Sequence, residues 1–245
     1  MLGQFAREQL SVESPVVARA WMSWSSGKDS ALALAAARRS GTEVVRLLVT
    51  FNRDADRVAM HAVRRELVAA QAERLGIPVF AVDLPSPCSN AQYEARMTEA
   101  LTVARNDDVD EMVFGDLFLE DVRAYREAAM EGTGITPSFP LWGLPTSDLA
   151  REMVDVGIEA VVTCVDPRQL DASFAGRRFD SDFLRDLPPH VDPCGERGEF
   201  HTFVWDAPGY SAPIDVTVGD VVERDGFVFA DVVPADGTAP PVSSG

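Results

Sequence analysis

Residues 25–30 form a short segment whose composition suits the binding of phosphate groups. The segment reads Ser-Ser-Gly-Lys-Asp-Ser, follows an apolar stretch at 18–24, and precedes a run rich in alanine and leucine that is typical of a helix. A loop of small residues between a strand and a helix lets successive backbone N–H groups converge, and the helix N-terminus adds partial positive charge. The segment is therefore predicted to hold phosphate oxygens.

The polar residues of this segment have distinct expected roles. Lys28 supplies a full positive charge, and it is the only lysine among the 22 basic residues of the chain. Gly27 has no side chain that could block a close approach, and Ser30 is expected to cap the helix and to donate its hydroxyl to a phosphate. Asp29 would repel phosphates unless a magnesium ion or an N–H group intervenes, so we assign it to magnesium binding or to organising the loop.

The plain alternative is that residues 25–30 are only a tight turn between a strand and a helix. The segment does not match the Walker pattern G-x-x-x-x-G-K-[ST]. It resembles instead the S-G-G-K-D-S loop of the PP-loop ATP pyrophosphatases, with a serine in place of the first glycine. The resemblance implies that ATP binds here and reacts at its α-phosphorus. The residues that would hold the pyrophosphate end of ATP are Ser25, Ser26, Gly27, Lys28, Asp29 and Ser30.

Strand and helix patterns alternate along the first half of the chain. Strands separated by helices pair in parallel, with right-handed crossovers that put helices on both faces of the sheet. The pattern therefore predicts an α/β fold with a parallel sheet. The predicted strands are 18–24, 44–50, 79–82 and 111–114; the predicted helices follow residue 27, start at His61, and cover 91–105.

The second half of the chain is less regular. Its patterns indicate a smaller α+β unit that closes with an antiparallel pair of strands. A segment rich in proline and glycine, at 187–198, interrupts the regular elements. The predicted helices are 120–130 and one from Thr146 or Ser147 to Gly157, and the predicted strands are 160–165, 214–218 and 226–232.

Composition excludes several classes of protein. The net charge is −17 and the pI is about 4.5, so binding to a nucleic acid backbone is not expected. No apolar stretch is long enough for a membrane span, and the first ten residues do not read as a signal peptide, so we predict a cytoplasmic protein with no membrane partner. The three cysteines form no CxxC pair, which predicts reduced thiols and no zinc ribbon.

Three further segments resemble the diphthine–ammonia ligase family, and they occur in the family's order. They are Phe-Gly-Asp-Leu-Phe-Leu-Glu-Asp at 114–121, Phe-Pro-Leu-Trp-Gly at 139–143, and Cys-Gly-Glu-Arg-Gly-Glu-Phe-His-Thr-Phe at 194–203. The resemblance spans 18–234. In the last segment Arg197 stands where the family usually has asparagine.

Membership of that family implies a fold and a reaction. The fold is a Rossmann-like (HUP-type) ATP-binding domain, expected at 14–132, followed by a smaller substrate domain at 133–234. The composition of 235–245 predicts a disordered tail. The reaction is the ATP-dependent conversion of a carboxylate to an amide with ammonia, which releases AMP and pyrophosphate.

Fold analogy suggests where the rest of ATP lies. In doubly wound sheets the nucleotide binds at the carboxyl ends of the strands, so the adenine is expected near Val49 and Thr50 and close to Gly115. His61 is a candidate contact for ATP or ammonia, although a histidine at a predicted helix start is also typical of a cap or a surface group.

Acidic residues in two segments are candidate substrate ligands. Asp116, Glu120 and Asp121 follow the fourth predicted strand, where acids also stabilise the start of a helix through its dipole. The family resemblance favours a site role for the first two. The last segment adds Gly195, Glu196 and Glu199 as candidate substrate ligands, and it also contains His201.

The two glutamates and the histidine of the last segment are predicted to be catalytic together with Lys28, because carboxylates and an imidazole can orient ammonia or accept its proton. The alternative is a solvated turn that leads into a strand, with Phe200 and Phe203 in the core.

Two other functions are kept open at this point. A PP-loop enzyme that modifies tRNA would share residues 25–30, but it would need a basic surface. A regulatory module that binds ATP without chemistry would have no use for the 194–203 segment. The predicted partners are ATP, ammonia that is free or delivered by another subunit, and a small-molecule or protein-borne carboxylate, with a homodimer as one option for assembly.

Overall fold

A computed structural model describes residues 17–235 of the chain. The predicted C-terminal tail, apart from its first residue, lies outside the described residues. Among the helices of the described part, none is long and apolar enough to cross a membrane.

The first sheet is built from strands that the first half of the sequence supplies. Five of them are parallel in the order β4-β2-β1-β5-β6, and the short β3 pairs antiparallel with the end of β2. This order, with the first strand central, confirms the predicted Rossmann-like α/β fold. The strands are β1 (Arg19–Ser23), β2 (Glu43–Asn52), β3 (Arg57–Val58), β4 (Val79–Leu84), β5 (Glu111–Val113) and β6 (Thr136–Ser138).

Helices cover both faces of this sheet, as a parallel sheet requires. Side chains of β1 alternate between the faces: Ala20 and Met22 pack in the cluster that contains α1 and α2, whereas Trp21 packs in the cluster that contains α3 and the end of α4. Side chains on both faces of β1 are fully buried, which explains why its central residues are all apolar. The helices are α1 (Lys28–Arg39), α2 (Arg65–Leu75), α3 (Asn90–Asn106) and α4 (Glu120–Met130).

The second half of the chain forms an antiparallel sheet in the order β8-β7-β10-β9. Most of its buried residues, among them Val161, Phe203 and Val232, belong to the same apolar cluster as α1 and α2, so the two sheets share one core. The predicted closing pair is present as β9 and β10. The elements are α5 (Thr146–Asp155), β7 (Glu159–Val165), a single 3-10 turn (Ala172–Phe174), α6 (Ser181–Asp186), β8 (Phe200–Asp206), β9 (Val216–Arg224) and β10 (Phe227–Pro234).

Several predicted boundaries differ from the structure. The second helix begins at Arg65 and not at His61, because Met60 and Ala62 adopt positive φ angles of 63° and 55° that no helix contains. The sequence patterns also gave no indication of β3, β6 or α6, which are two to six residues long. The predicted domain boundary after residue 132 stays a prediction, and β6 beyond it belongs to the first sheet.

A buried glutamine ties the two halves of the chain together. Gln71 on α2 is fully buried, and its Oε1 accepts a hydrogen bond of 2.8 Å from the indole N–H of Trp24. Its Nε2 donates to the carbonyl oxygens of Ser26 at 3.1 Å and Val204 at 2.7 Å. One side chain thereby satisfies backbone groups of the β1–α1 loop and of β8, which are far apart in sequence.

We expect Gln71→Leu to lower the free energy of unfolding by about 3 kcal/mol, because it removes three buried hydrogen bonds and leaves the indole N–H of Trp24 without a partner. Urea denaturation of both proteins measures the difference. Gln92→Leu is the matched control: its side chain is exposed and serves only the cap of α3, so its loss costs about 1 kcal/mol or less. Equal losses in the two variants would contradict the role given to Gln71.

The β1–α1 loop contains a residue in an unfavourable conformation. Ser26 has a φ angle of 70°, in the left-handed region, and its buried hydroxyl has no hydrogen-bond partner. A side chain in this region costs about 1–2 kcal/mol relative to ordinary backbone. The S-G-G-K-D-S loop that residues 25–30 resemble has glycine at this position, which avoids that cost.

Ser26→Gly is expected to raise the free energy of unfolding by about 1 kcal/mol, since it removes both the strained φ and the unpaired hydroxyl. Thermal unfolding gives the readout as a higher Tm. Ser40→Gly, at a negative φ of −78°, lacks this benefit and should lower the Tm slightly. A lower Tm for Ser26→Gly would show that the serine is not strained.

Candidate active site

A cavity of about 230 Å³ lies where the carboxyl ends of β1 and β5 meet the segment that leads into β8. Ten of the predicted site residues line it, from both halves of the chain. They are Ser25, Lys28, Asp29, Ser30, His61, Gly115, Asp116, Gly195, Glu196 and His201. The cavity therefore lies at the carboxyl ends of the strands, the edge of the sheet where fold analogy predicts nucleotide binding.

Lys28 is the first residue of α1, and its ammonium group is buried. Nζ lies 2.9 Å from Oδ2 of Asp29 and donates to the carbonyl oxygen of Cys194. The rings of Phe179 and Phe200 lie within 5.5 Å and 5.1 Å of the same atom. Burial alone would lower the pKa of Lys28, but the neighbouring carboxylates outweigh it and raise the pKa. The lysine is therefore charged at neutral pH.

Two glycines allow the backbone of this site to pack closely. A Cβ on Gly27 would lie 3.0 Å from a ring carbon of His61, and one on Gly115 would lie 3.1 Å from the backbone of Asp29. Gly27 is the N-cap of α1, so the helix start has no side-chain cap. The expectation that Ser30 caps the helix is wrong: it lies within the first turn and its hydroxyl donates to the Gly27 carbonyl at 2.8 Å.

Two histidines lie in contact, with tilted rings, at one wall of the cavity. The rings of His61 and His201 are 4.5 Å apart, and Nδ1 of His61 lies 3.2 Å from the carbonyl oxygen of Thr202. Burial lowers the pKa of His61 to about 4 and, with the neighbouring positive charges, holds that of His201 well below its usual value. Both imidazoles are neutral at pH 7, so each can accept as well as donate a hydrogen bond.

Glu196 is a carboxyl group that titrates near neutrality. Burial raises its pKa to about 7, and the charges of Asp29 and Asp116 add to the rise. Its Oε1 accepts a hydrogen bond of 2.8 Å from the N–H of Leu117, which fixes the side chain at the cavity wall. A carboxylate with this pKa is suited to accept a proton at pH 7.

Glu199 does not line the cavity. It is 1% exposed, and its two oxygens accept hydrogen bonds from the backbone N–H groups of Asp192 at 3.0 Å and Arg197 at 2.9 Å. Its predicted catalytic role stays a prediction, and these contacts favour a role in holding the loop that carries Glu196. The guanidinium of Arg197 lies over the ring of Phe118, away from the cavity lining.

Asp29 is the predicted magnesium ligand. Its carboxylate lines the cavity and faces Lys28, and burial raises its pKa while the lysine charge opposes the rise. Among residues 17–235 no group of three metal-ligating side chains occurs. A magnesium ion carried by the phosphates of ATP needs few protein ligands, so one carboxylate at this position fits such an ion.

Other predicted contacts lie outside the cavity lining. Val49 is buried within β2, and Thr50 pairs with Val82 of β4, so adenine binding by these two residues stays a prediction. Glu120 and Asp121 are exposed at the start of α4. Their positions agree with the helix-dipole alternative, and their role in substrate binding also stays a prediction.

The three cysteines are free thiols, as predicted. Burial raises the pKa of Cys194, and the positive charge of Lys28 only partly opposes it. Burial likewise raises the pKa of Cys164 to about 12. Neither buried thiol ionises at neutral pH, which argues against a nucleophile at these positions.

Sequence reasoning missed several residues of the lining. The most informative is Arg126, whose Nε lies 3.4 Å from Oδ2 of Asp116. An arginine on a helix normally indicates a face exposed to solvent. The only signal in the sequence is the spacing of four residues between Val122 and Arg126, which places both on the same face of α4 and so on the same side of the cavity. The other missed residues are Ser23, Phe114, Leu119, Val122, Cys194, Phe200 and Thr202.

An ion-pair cluster holds the turn that carries His61. Asp231 on β10 lies 2.8 Å from Nη1 of Arg57 and 2.6 Å from Nη2 of Arg64. Both arginines flank the two residues with positive φ that surround the histidine. Because Asp231 bridges the two ends of this turn, the second sheet helps to fix an imidazole that the first sheet carries.

Comparison with known proteins gives a consistent result along the chain. Residues 18–137 match the family model described as the diphthamide synthase N-terminal domain, and residues 145–229 match the diphthamide synthase C-terminal domain. Among curated proteins, the bovine (Bos taurus) diphthine–ammonia ligase is 24% identical over 230 residues, covering 85% of this chain and 86% of the bovine protein.

Two other relatives carry the same name but are matched over a smaller part of their length. The human (Homo sapiens) diphthine–ammonia ligase is 27% identical over 150 residues, which is 59% of this chain and 56% of the human protein. The enzyme of that name from Schizosaccharomyces pombe is 23% identical over 219 residues, 82% of this chain but 36% of the yeast protein. Because both domain models match in order and together span most of the chain, this protein belongs to the diphthamide synthase family.

Proposed function

We propose that this protein is an ATP-dependent amide ligase, which adenylates a carboxylate and then amidates it with ammonia. The observation that carries the proposal is the composition of one cavity. It combines the only lysine of the chain, buried and charged, with a carboxyl group that titrates near pH 7. A buried cation suits a phosphate chain, and a group of that pKa suits proton transfer.

The first step joins the carboxylate to AMP. A carboxylate oxygen attacks the α-phosphorus of ATP, the bond between the α-phosphorus and its bridging oxygen breaks, and pyrophosphate leaves with the electron pair. Lys28 and the N-terminus of α1 stabilise the charge that develops on pyrophosphate. If magnesium is bound, Asp29 and the phosphates would hold it, and it would neutralise further phosphate charge.

The second step forms the amide. The nitrogen of ammonia attacks the carbonyl carbon of the acyl-adenylate, the carbon–oxygen bond to AMP breaks, and the nitrogen loses a proton. Glu196 accepts that proton in its ionised form, and the neutral His61 and His201 orient the nitrogen by hydrogen bonds. The ammonia is free or comes from another subunit, and a cytoplasmic location and a homodimer remain proposals.

The products of ATP cleavage test the reaction class. The full chain with ATP, magnesium, ammonium and a carboxylate should yield AMP and pyrophosphate, and the carboxylate alone should support exchange of labelled pyrophosphate into ATP. Diphthine, named in the relatives, is the first carboxylate to test. ADP and phosphate as products would contradict the proposal, and ATP binding without exchange would favour the regulatory module.

Lys28→Ala is expected to lower turnover by at least about 10²-fold, the scale of losing one preorganised group that stabilises developing charge. Lys28→Arg keeps the charge and changes the shape of the group. The planar guanidinium is wider than the ammonium that lies close to the rings of Phe179 and Phe200, so this variant should also lose most of its activity. Pyrophosphate exchange measures both. Near-normal exchange in Lys28→Ala would remove the lysine from the mechanism.

Turnover should depend on pH through Glu196. Its carboxyl group is protonated below a pKa of about 7, so the base is lost as pH falls, and kcat should drop tenfold per unit below that value. The measurement keeps free ammonia constant by adjusting total ammonium at each pH. Glu196→Gln should be at least about 10²-fold slower and lack the inflection. An unchanged inflection in this variant would assign it to another group.

A further inference from the structure

The cavity opens towards a groove on the surface between α3 and α4. Val122 and Arg126 line both the cavity and the groove, so they lie where the two meet. The groove is wide, about 480 Å³, and open to solvent. A substrate that enters along it reaches the cavity beside Arg126.

Arg126 is held at this junction but keeps hydrogen-bonding capacity. Its guanidinium lies over the ring of Phe114, at 4.8 Å from the ring centre. Its Nε faces Oδ2 of Asp116 at 3.4 Å, and neither of these buried atoms has a hydrogen-bond partner. The ring and the ion pair with Asp116 orient the guanidinium, and its two Nη groups make no hydrogen bond within residues 17–235, so they remain available to a ligand.

The two cations of the cavity lining differ in what they can bind. Lys28 is 1% exposed and held by Asp29 and a carbonyl, whereas Arg126 lies where the cavity meets the groove. An ammonium is a compact charge that suits a phosphate chain. A guanidinium is a planar fork that matches the two oxygens of a carboxylate.

The groove itself favours one kind of substrate stem. Its lining includes Tyr93 and Tyr125, whose rings are 6.5 Å apart, together with the carboxylates of Glu94 and Asp121. Aromatic faces and carboxylates attract a positive charge and repel a negative one. A carboxylate on a cationic or neutral stem therefore fits better than a dicarboxylate.

We propose that Arg126 binds the carboxylate that becomes activated, and that the groove lined by Tyr93 and Tyr125 selects against a second negative charge on its stem. The inference rests on the proposed function only in identifying this anion as the group that reacts with ATP. The binding itself is a property of the cavity and groove, and it can be measured without turnover.

The test measures the binding of three carboxylates with stems of similar length to the full chain in the presence of α,β-methylene-ATP and magnesium. They are 5-aminovalerate, valerate and glutarate, whose far ends are positive, neutral and negative. NMR titration should give the lowest Kd for 5-aminovalerate and the highest for glutarate. Arg126→Met should raise the Kd of 5-aminovalerate about tenfold or more, because a charge-assisted hydrogen-bonded pair is lost.

Two further variants keep the test specific. Arg123→Met removes the same charge from α4, but Arg123 pairs with Glu127 and lines neither space, so Kd should not change. Glu94→Gln combined with Asp121→Asn should reduce the difference between the Kd values of 5-aminovalerate and glutarate. Arg126→Lys, which keeps the charge and is the safer variant for folding, should give an intermediate Kd.

The proposal is overturned if none of the three carboxylates binds the unaltered protein, if Arg126→Met leaves Kd within twofold, or if Arg123→Met has the same effect. Its second part is overturned if the double variant at Glu94 and Asp121 leaves the ratio of the Kd of glutarate to the Kd of 5-aminovalerate unchanged. If carboxylate binding depends on Arg126 but no pyrophosphate exchange occurs, the proposed ligase function is contradicted and the proposed binding site is supported. If exchange occurs and does not depend on Arg126, the ligase function is supported and the proposed binding site is contradicted.

Discussion

The structure depends on the burial of one ammonium group. Removing a charge from water costs several kcal/mol unless it is paired and hydrogen-bonded. For Lys28 the partners are the adjacent Asp29, the carbonyl oxygen of Cys194, and the faces of Phe179 and Phe200. Three of these four come from the second half of the chain, so the lysine is satisfied only when both halves are packed together.

That constraint explains the rest of the site. The start of β8 passes close to the start of α1: a Cβ on Gly27 would lie 3.2 Å from the carbonyl oxygen of Thr202 and 3.0 Å from the ring of His61. Gly195, with a φ of 69°, lets the segment before β8 turn back onto Phe200, whose carbonyl oxygen would lie 2.7 Å from a Cβ. The close packing also buries His61, His201 and Glu196. Their altered pKa values therefore follow from the same contact that holds the lysine.

Local patterns and family resemblance identified much of this from sequence. The turn between β1 and α1 and the alternation of strands and helices depend on neighbouring residues, so local patterns predict both, although residues 28–30 already belong to α1. The errors involve partners distant in sequence. The local pattern predicts a helix start at His61 because it does not show that Asp231, 170 positions away, pairs with the arginines on either side of the turn. It does not identify Arg126 because the partner of its guanidinium is Asp116, which lies outside α4. Spacing alone does not encode such contacts.

The central claim is that Lys28 faces the phosphates of ATP in a cavity that both halves of the chain complete. A crystal structure with α,β-methylene-ATP and magnesium tests it most directly. We expect Nζ of Lys28 to lie within hydrogen-bonding distance of a β- or γ-phosphate oxygen, with the α-phosphorus turned towards Glu196 and Arg126. A nucleotide bound elsewhere, or phosphates that point away from α1 while Lys28 keeps its contacts with Asp29 and Cys194, would contradict it.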